Sequence, residues 1–234
     1  AGAARPTARA GGFPILLAMH PVLFQFGDFP LRSFGVMVAI GFLFGAHVWG
    51  RLMGRYGQDP MKDPERISQV TMAVLVGVLA GGRLFYVVVE LLRYWASGDA
   101  GSVGAAYVDD PLSIFFVWEG GLVMYGGFLG AIGLGLLSAR KHEVNPLNAL
   151  DTGLVAGFFG QSIGRIGCLL VGDDHGSVVP AASADLPFPI TLTVPDAAWL
   201  EANPESLFPR DLAGEVLWAT QPWMSINALV IALG

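Results

Sequence analysis

"ISQVTMAVLVGVLAGGRLFYVVVELL", residues 67 to 92, is a run of apolar side chains broken near its middle by Arg83. Roughly 20 predominantly apolar residues cross the ~30 Å hydrocarbon core of a bilayer as a helix, so this stretch is long enough to span a membrane. A guanidinium at that depth is costly unless it faces a cavity, a protein partner or a lipid head group. Arg83 is therefore a candidate functional residue as soon as the span is recognised.

The rest of the chain has the same character. Of its 234 residues 53% are hydrophobic and 14% charged, and the mean hydropathy is +0.57, whereas an average soluble domain is roughly 25% charged. This is the composition of an integral membrane protein. The formal net charge of -6 and the lack of a basic run exclude nucleic acid as a partner. A single cysteine, Cys168, cannot form an intrachain disulfide, so it does not report the redox compartment.

Working outward from Arg83, a span from about Phe34 to Leu52 precedes the opening segment. The apolar run from about Leu112 to Leu137 follows, interrupted by "WEGG" and "YGG", and reads as a re-entrant segment followed by a helix rather than one straight span. A further span runs from about Leu147 to Val171. After it comes a long polar loop, residues 172–221, whose prolines and alternating "PITLTV" suggest short strands and turns outside the membrane. The terminal "WMSINALVIALG" begins another span, too short to cross a bilayer at 1.5 Å per residue, so the C-terminus reads as incomplete. The expected fold class is all-α: a polytopic integral membrane protein of about five membrane segments, the last partial, with a small irregular or β extracytoplasmic loop region. Residues 1–18 read as a leader or upstream translated stretch outside the fold, and 19–234 as a single membrane domain.

Short loops set the expected orientation. Arg51, Arg55, Lys62 and Arg66 follow the first span, and Arg140 and Lys141 follow the third; both loops are expected on the cytoplasmic side. The acidic 172–221 loop, in which Arg210 is the basic residue, and the N-terminus are expected outside.

Among ionisable residues at membrane depth, Arg83, Glu119 in "VWEGGL" and Arg165 in "GQSIGRIGCLLVGDDHG" are the functional candidates. Either arginine can pair with Glu119 as a purely structural bridge. Two buried arginines against one carboxylate leave a surplus positive charge, which favours an anion site. The guanidinium fork suits phosphate or carboxylate, and the most economical anion inside a bilayer is a phospholipid head group. Cys168, in an apolar helix, reads as inert packing, because burial suppresses the thiolate. Asp173, Asp174 and His175 are three neighbouring loop residues with no distant fourth ligand, so they read as a solvated turn and no metal is expected. The glycines beside the charged residues, Gly81 and Gly82 among them, read as sites of close helix approach.

"GGRLFYVV", "FFVWEGGLVMYGGFLG" and "GRIGCLLVGDDHG", in that order on successive segments, resemble the prolipoprotein diacylglyceryl transferase family, and "HPVLFQFGDFPLRSFGVMVAIGFLFG" is similar too. The resemblance covers about Met19 to Gly176. It implies a bacterial plasma (inner) membrane enzyme of about seven segments with no cofactor. Its reaction moves the diacylglyceryl group of phosphatidylglycerol onto the lipobox cysteine thiol of preprolipoprotein signal peptides and releases glycerol phosphate. Arg165 matches the arginine of the family's "GR-G-N-NGE" signature, which implies a hold on the lipid phosphate assisted by Arg83. Tyr125 stands where the family has histidine; a phenol is a poor base near neutral pH but donates a hydrogen bond. Cys168 and Val171 stand in place of asparagines, Asp173 in place of glutamate, and Phe34 in place of tyrosine. Gly176 matches the closing glycine and implies a turn at the membrane surface.

The implied catalytic residues are thus Arg165 and Tyr125, and the implied substrate contacts are Arg165, Arg83, Glu119, Cys168, Asp173 and Gly176. The family's "YG--R---E" helix has no counterpart after Trp223. Two readings stand at this point: a transferase, or a catalytically impaired paralogue that binds phospholipid or lipoprotein precursors. A transporter is disfavoured, because the two halves lack paired broken helices.

Overall fold

A computed structural model describes residues 19–27, 29–99, 101–116 and 121–234; the expected leader, residues 1–18, and Glu119 lie outside the described residues. The described chain is mostly helical, with α1 at Ser33–Tyr56, α2 at Asp63–Ser97, α3 at Val103–Asp109 and α4 at Met124–Lys141. These are followed by α5 at Pro146–Val171, α6 at Ala197–Ala202 and α7 at Thr220–Leu233. Two antiparallel hairpins complete it: β1 (Val22–Phe26) with β2 (Phe29–Arg32), and β3 (Thr191–Thr193) with β4 (Val216–Trp218). Among the described helices, α1, α2 and α5 are long and apolar enough to cross a membrane.

The helix ends follow local chemistry. Asp63, Pro64 and Glu65 open α2, and acidic side chains and a first-turn proline suit a helix N-terminus. Gly98, at φ 65°, closes it in the left-handed conformation that glycine adopts freely. This carries α2 beyond the expected 67–92 at both ends. At the start of α5 the Asn145 side chain accepts from the amides of Leu147 (2.9 Å) and Asn148 (3.3 Å).

The apolar run at 112–137 is not one helix. Pro111–Phe115 is a 3-10 turn, and α4 starts only at Met124. Just before α4, Gly121 sits at φ +75°, and a Cβ there would strike the ring of Tyr86. The Val123 amide donates to the Gly82 carbonyl at 3.0 Å, tying this break to α2.

The chain divides into two compact units, one of residues 46–154 and one formed by the chain before and after them. In the first, α2 and α4 run antiparallel and meet through two glycine pairs, Gly77 opposite Gly130 and Gly81 opposite Gly126. A Cβ on any of the four would strike the carbonyl oxygen of its opposite number. Absent side chains let two backbones approach this closely, and dispersion contacts between them hold helices together where lipid supplies no hydrophobic drive. The same unit pairs Trp49 with Thr152, indole Nε1 to Oγ1, at 3.0 Å.

In the second unit the α1 and α5 portions use the same device. A Cβ at Gly41 would stand 2.6 Å from the Gly160 carbonyl oxygen, and one at Gly45 3.0 Å from that of Ala156. The 172–221 loop is not merely irregular. β3 and β4 pair there as Thr191 opposite Trp218 and Thr193 opposite Val216. Leu192, Val194, Leu200, Phe208 and Leu217 are buried together with Leu169 of α5.

Candidate functional site

Arg165 lies on α5 less than two turns before its end, between Gly164 and Gly167. A Cβ at Gly167 would stand 2.9 Å from that of Met37, so α1 packs against α5 at Gly167. The arginine is the charged residue on that stretch, and its side chain is 20% exposed. Its Nη1 donates to the Asp174 carboxylate in an ion pair.

The helix end that presents this carboxylate is tightly built. The amides of Gly172 and Asp173 both return to the Cys168 carbonyl at 2.9 Å, and Gly172 adopts φ +82°. A side chain at Gly172 would strike the Phe208 ring, so glycine is required twice over. Asp174 is itself at φ +50°, a conformation that aspartate tolerates better than most residues. Its amide donates to the Asp173 carboxylate at 2.9 Å.

The first turn of α7 then clamps the two aspartates by their backbone. Gln221 Nε2 donates to the Asp173 carbonyl at 2.8 Å, and the Thr220 hydroxyl donates to the Asp174 carbonyl at 2.6 Å. Gln221 is fully buried, and its Oε1 has no hydrogen-bond partner among the described residues. One turn further along α7, the Ser225 hydroxyl donates to the Ser162 carbonyl of α5 at 2.6 Å. His175 stacks on Phe208 with ring centroids 5.4 Å apart, and its Nδ1 donates to the Gly176 carbonyl at 2.9 Å.

Asp173, Asp174 and His175 are therefore not the free solvated turn that their sequence suggests. The backbone carbonyls of Asp174 and Asp173 are taken by partners 46 and 48 residues away, which no local pattern reveals. Gly176 also differs from expectation. Its φ is not positive; a Cβ there would stand 2.5 Å from the Trp218 carbonyl oxygen, to which its own amide donates at 3.1 Å. Close approach to β4, not turn conformation, is what requires glycine. Cys168 is buried on α5, in keeping with packing.

The other candidates belong to the unit of residues 46–154. Arg83 is 6% exposed. Its Nε donates to the Ile114 carbonyl at 2.7 Å, Nη2 to that of Ser113 at 2.8 Å, and Nη1 to that of Gly121 at 3.4 Å. The guanidinium also lies 5.7 Å from the Tyr86 ring centroid and 5.5 Å from that of Tyr107, within cation–π range. Tyr125 is the second residue of α4 and 71% exposed.

Arg165, Cys168, Asp173 and Gly176 thus share one unit, and Arg83 and Tyr125 the other. Sequence reading missed Asp174 as the partner of Arg165, and missed Thr220 and Gln221 altogether. Asp174 was visible as a carboxylate nine residues from the arginine, at a helix end where the chain can fold back. Chemically, Arg165 is a partly exposed cation whose fork is shared with one exposed carboxylate, an arrangement suited to exchanging one anion for another.

The sequence profile of a family described as prolipoprotein diacylglyceryl transferase matches residues 21–233. A phosphatidylglycerol–prolipoprotein diacylglyceryl transferase of Rhodospirillum centenum is 30% identical over 213 residues, covering 91% of this chain and 70% of its own. Proteins of the same name from Geobacter sulfurreducens and Vibrio cholerae are each 30% identical, covering 86% and 88% of this chain and 69% and 68% of their own.

Proposed function

The chain belongs to the prolipoprotein diacylglyceryl transferase family, and from that premise we propose that it moves the diacylglyceryl group of phosphatidylglycerol onto the lipobox cysteine of preprolipoproteins. The observation that supports carrying this reading to particular atoms is the Arg165 guanidinium, partly exposed and ion-paired with the exposed carboxylate of Asp174. The transferase names of the relatives favour turnover over a lipid-binding paralogue.

The reaction sets what the site must do. The substrate thiol gives up its proton, and its sulfur attacks the glycerol carbon that carries the phosphate ester. A C–S bond forms, the C–O bond breaks, and glycerol phosphate leaves with the bonding electrons and takes up a proton. Negative charge therefore builds on the phosphate oxygen as the bond breaks, and a fixed guanidinium there lowers the barrier. Arg165 is assigned to that phosphate, and Tyr125 is assigned a hydrogen bond to substrate.

Arg83, Glu119, Cys168, Asp173 and Gly176 are the further candidate contacts. Arg83 has the least to offer a ligand, because three of its nitrogens already donate to backbone carbonyls. The proposed setting is a bacterial inner membrane, with about five segments in this chain, the N-terminus and the 172–221 loop outside, and Arg140 and Lys141 inside.

The test is transfer itself. The purified chain in phosphatidylglycerol vesicles should add a diacylglyceryl mass to a lipobox peptide and release glycerol phosphate, and Arg165→Ala should slow both by about 100-fold. Retention of lipid with no glycerol phosphate released would instead make the protein a binding paralogue.

A further inference from the structure

The ion pair on Arg165 presents a competition. A carboxylate and a phosphodiester bind the same planar fork of guanidinium donors, so a lipid phosphate reaching Arg165 meets a site already holding an anion. We propose that Asp174 is the resident counter-ion of Arg165, displaced when the phosphate of an anionic lipid head group takes the guanidinium, and that it thereby sets how tightly the chain holds that lipid. The inference rests on the assignment of Arg165 to the lipid phosphate.

Three features of the turn fit an anion that yields its place. The Asp174 side chain is 57% exposed while that of Arg165 is 20% exposed, so the carboxylate regains water on leaving and the guanidinium stays in place. The Asp174 backbone is fixed independently of its side chain, by Thr220 on its carbonyl and the Asp173 carboxylate on its amide. Release of the carboxylate then needs only rotation about side-chain bonds, with the helix end and α7 unmoved. The carboxylate of Asp173 is already engaged with the Asp174 amide, which leaves Asp174 as the acidic group that meets Arg165 among the described residues.

Energetics favour exchange. An ion pair with its carboxylate in water is weak, because solvent screens it and two side chains lose freedom to make it. Such a pair keeps Arg165 compensated without lipid yet is weak enough to be replaced. It lowers the apparent affinity for the lipid by the fraction of time the carboxylate occupies the fork.

The experiment titrates the purified full chain in dodecylmaltoside micelles with phosphatidylglycerol, with phosphatidylglycerol plus excess free glycerol phosphate, and with micelles lacking anionic lipid. Four forms are compared: wild type, Asp174→Asn, Arg165→Gln and the double variant. Asparagine suits the left-handed backbone at 174, so the turn is retained; Asp174→Glu, which restores the charge, is the second control. Asp174→Asn is expected to bind phosphatidylglycerol about three- to fivefold more tightly than wild type. It should have no effect in the Arg165→Gln background, and Asp174→Glu should return affinity toward wild type. Competition by free glycerol phosphate would assign the preference to the phosphate alone, and its failure would assign it to the lipid; either accords with displacement. If Arg165→Gln weakens binding but Asp174→Asn leaves it unchanged or weaker, the displacement idea is overturned while the assignment of Arg165 stands. If Arg165→Gln leaves binding intact, both are overturned.

Discussion

Around Arg83 the acceptors are backbone carbonyls of Ser113, Ile114 and Gly121; around Arg165 the acceptor is a side-chain carboxylate on Asp174. Carbonyls of a 3-10 turn and of Gly121 cannot withdraw without unwinding the segment that carries them. A carboxylate on a flexible side chain can swing away. Arg83 is also 6% exposed and lies within cation–π range of two tyrosine rings. Two arginines that look alike in sequence thus have different partners: one ties down a break in the chain through backbone carbonyls, and the other, proposed above as the phosphate site, meets a side chain that can rotate away. The difference teaches that an ionisable residue in a span is better judged by whether its partner can leave than by its depth alone.

The largest expected effect tests the fixed end of this contrast. Arg83→Met leaves three carbonyls without their donor, and at about 1 kcal/mol or more for each lost partner the loss of stability should reach about 3 kcal/mol. Thermal unfolding in detergent would show it as a drop in midpoint. If instead the variant is as stable as wild type and inactive, the two arginines do not differ as described.

Next comes the exchangeable end. Arg165→Ala should lower the transfer rate by about 100-fold, the usual consequence of removing one group that stabilises developing charge, with a midpoint within about 1 kcal/mol of wild type. Arg165→Lys should recover only part of the rate, because an ammonium keeps the charge and loses the fork.

Helix contact should respond at an intermediate level. Gly81→Ala places a methyl against the Gly126 carbonyl. The cost is expected at about 1 to 3 kcal/mol, as for other overpacked contacts, read as a lowered midpoint. Gly133→Ala, on the same α4 but with open space at its Cβ, is the neutral control.

The smallest effect is expected at Gln221. Gln221→Met removes the bond to the Asp173 carbonyl but also removes a buried oxygen with no partner among the described residues. These changes oppose each other, so stability should move by less than about 1 kcal/mol. Phosphatidylglycerol titration of the same variant shows whether the turn still presents Asp174; unchanged affinity would mean that Thr220 suffices to hold it.

Much of this was legible in residue order. Hydropathy marked α1, α2 and α5 to within a few residues of their observed ends, because partition into a bilayer is nearly a sum of local transfer terms. "PITLTV" announced the β3 strand through its alternation and flanking prolines. The interruption before α4 was also readable, since "WEGG" and "YGG" are poor helix text. The partners of the two arginines were not. The anionic partner weighed for either one was Glu119, and hydropathy carries no information about which carbonyls or carboxylates fold back.

Residue order alone therefore determined that this is a mostly helical membrane protein, which family it joins, and that cations stand within its apolar segments; each follows from side-chain chemistry summed over short windows or matched in order. Only the tertiary structure decided which atoms meet those cations. The Ser113 and Ile114 carbonyls reach Arg83 from 30 and 31 residues away, and the turn that aims Asp174 at Arg165 is held by α7 from 46 and 48 residues away. Electrostatic contacts act over a few ångströms of space regardless of separation along the chain, so the difference between a fixed arginine and an exchangeable one exists only once the backbone has folded.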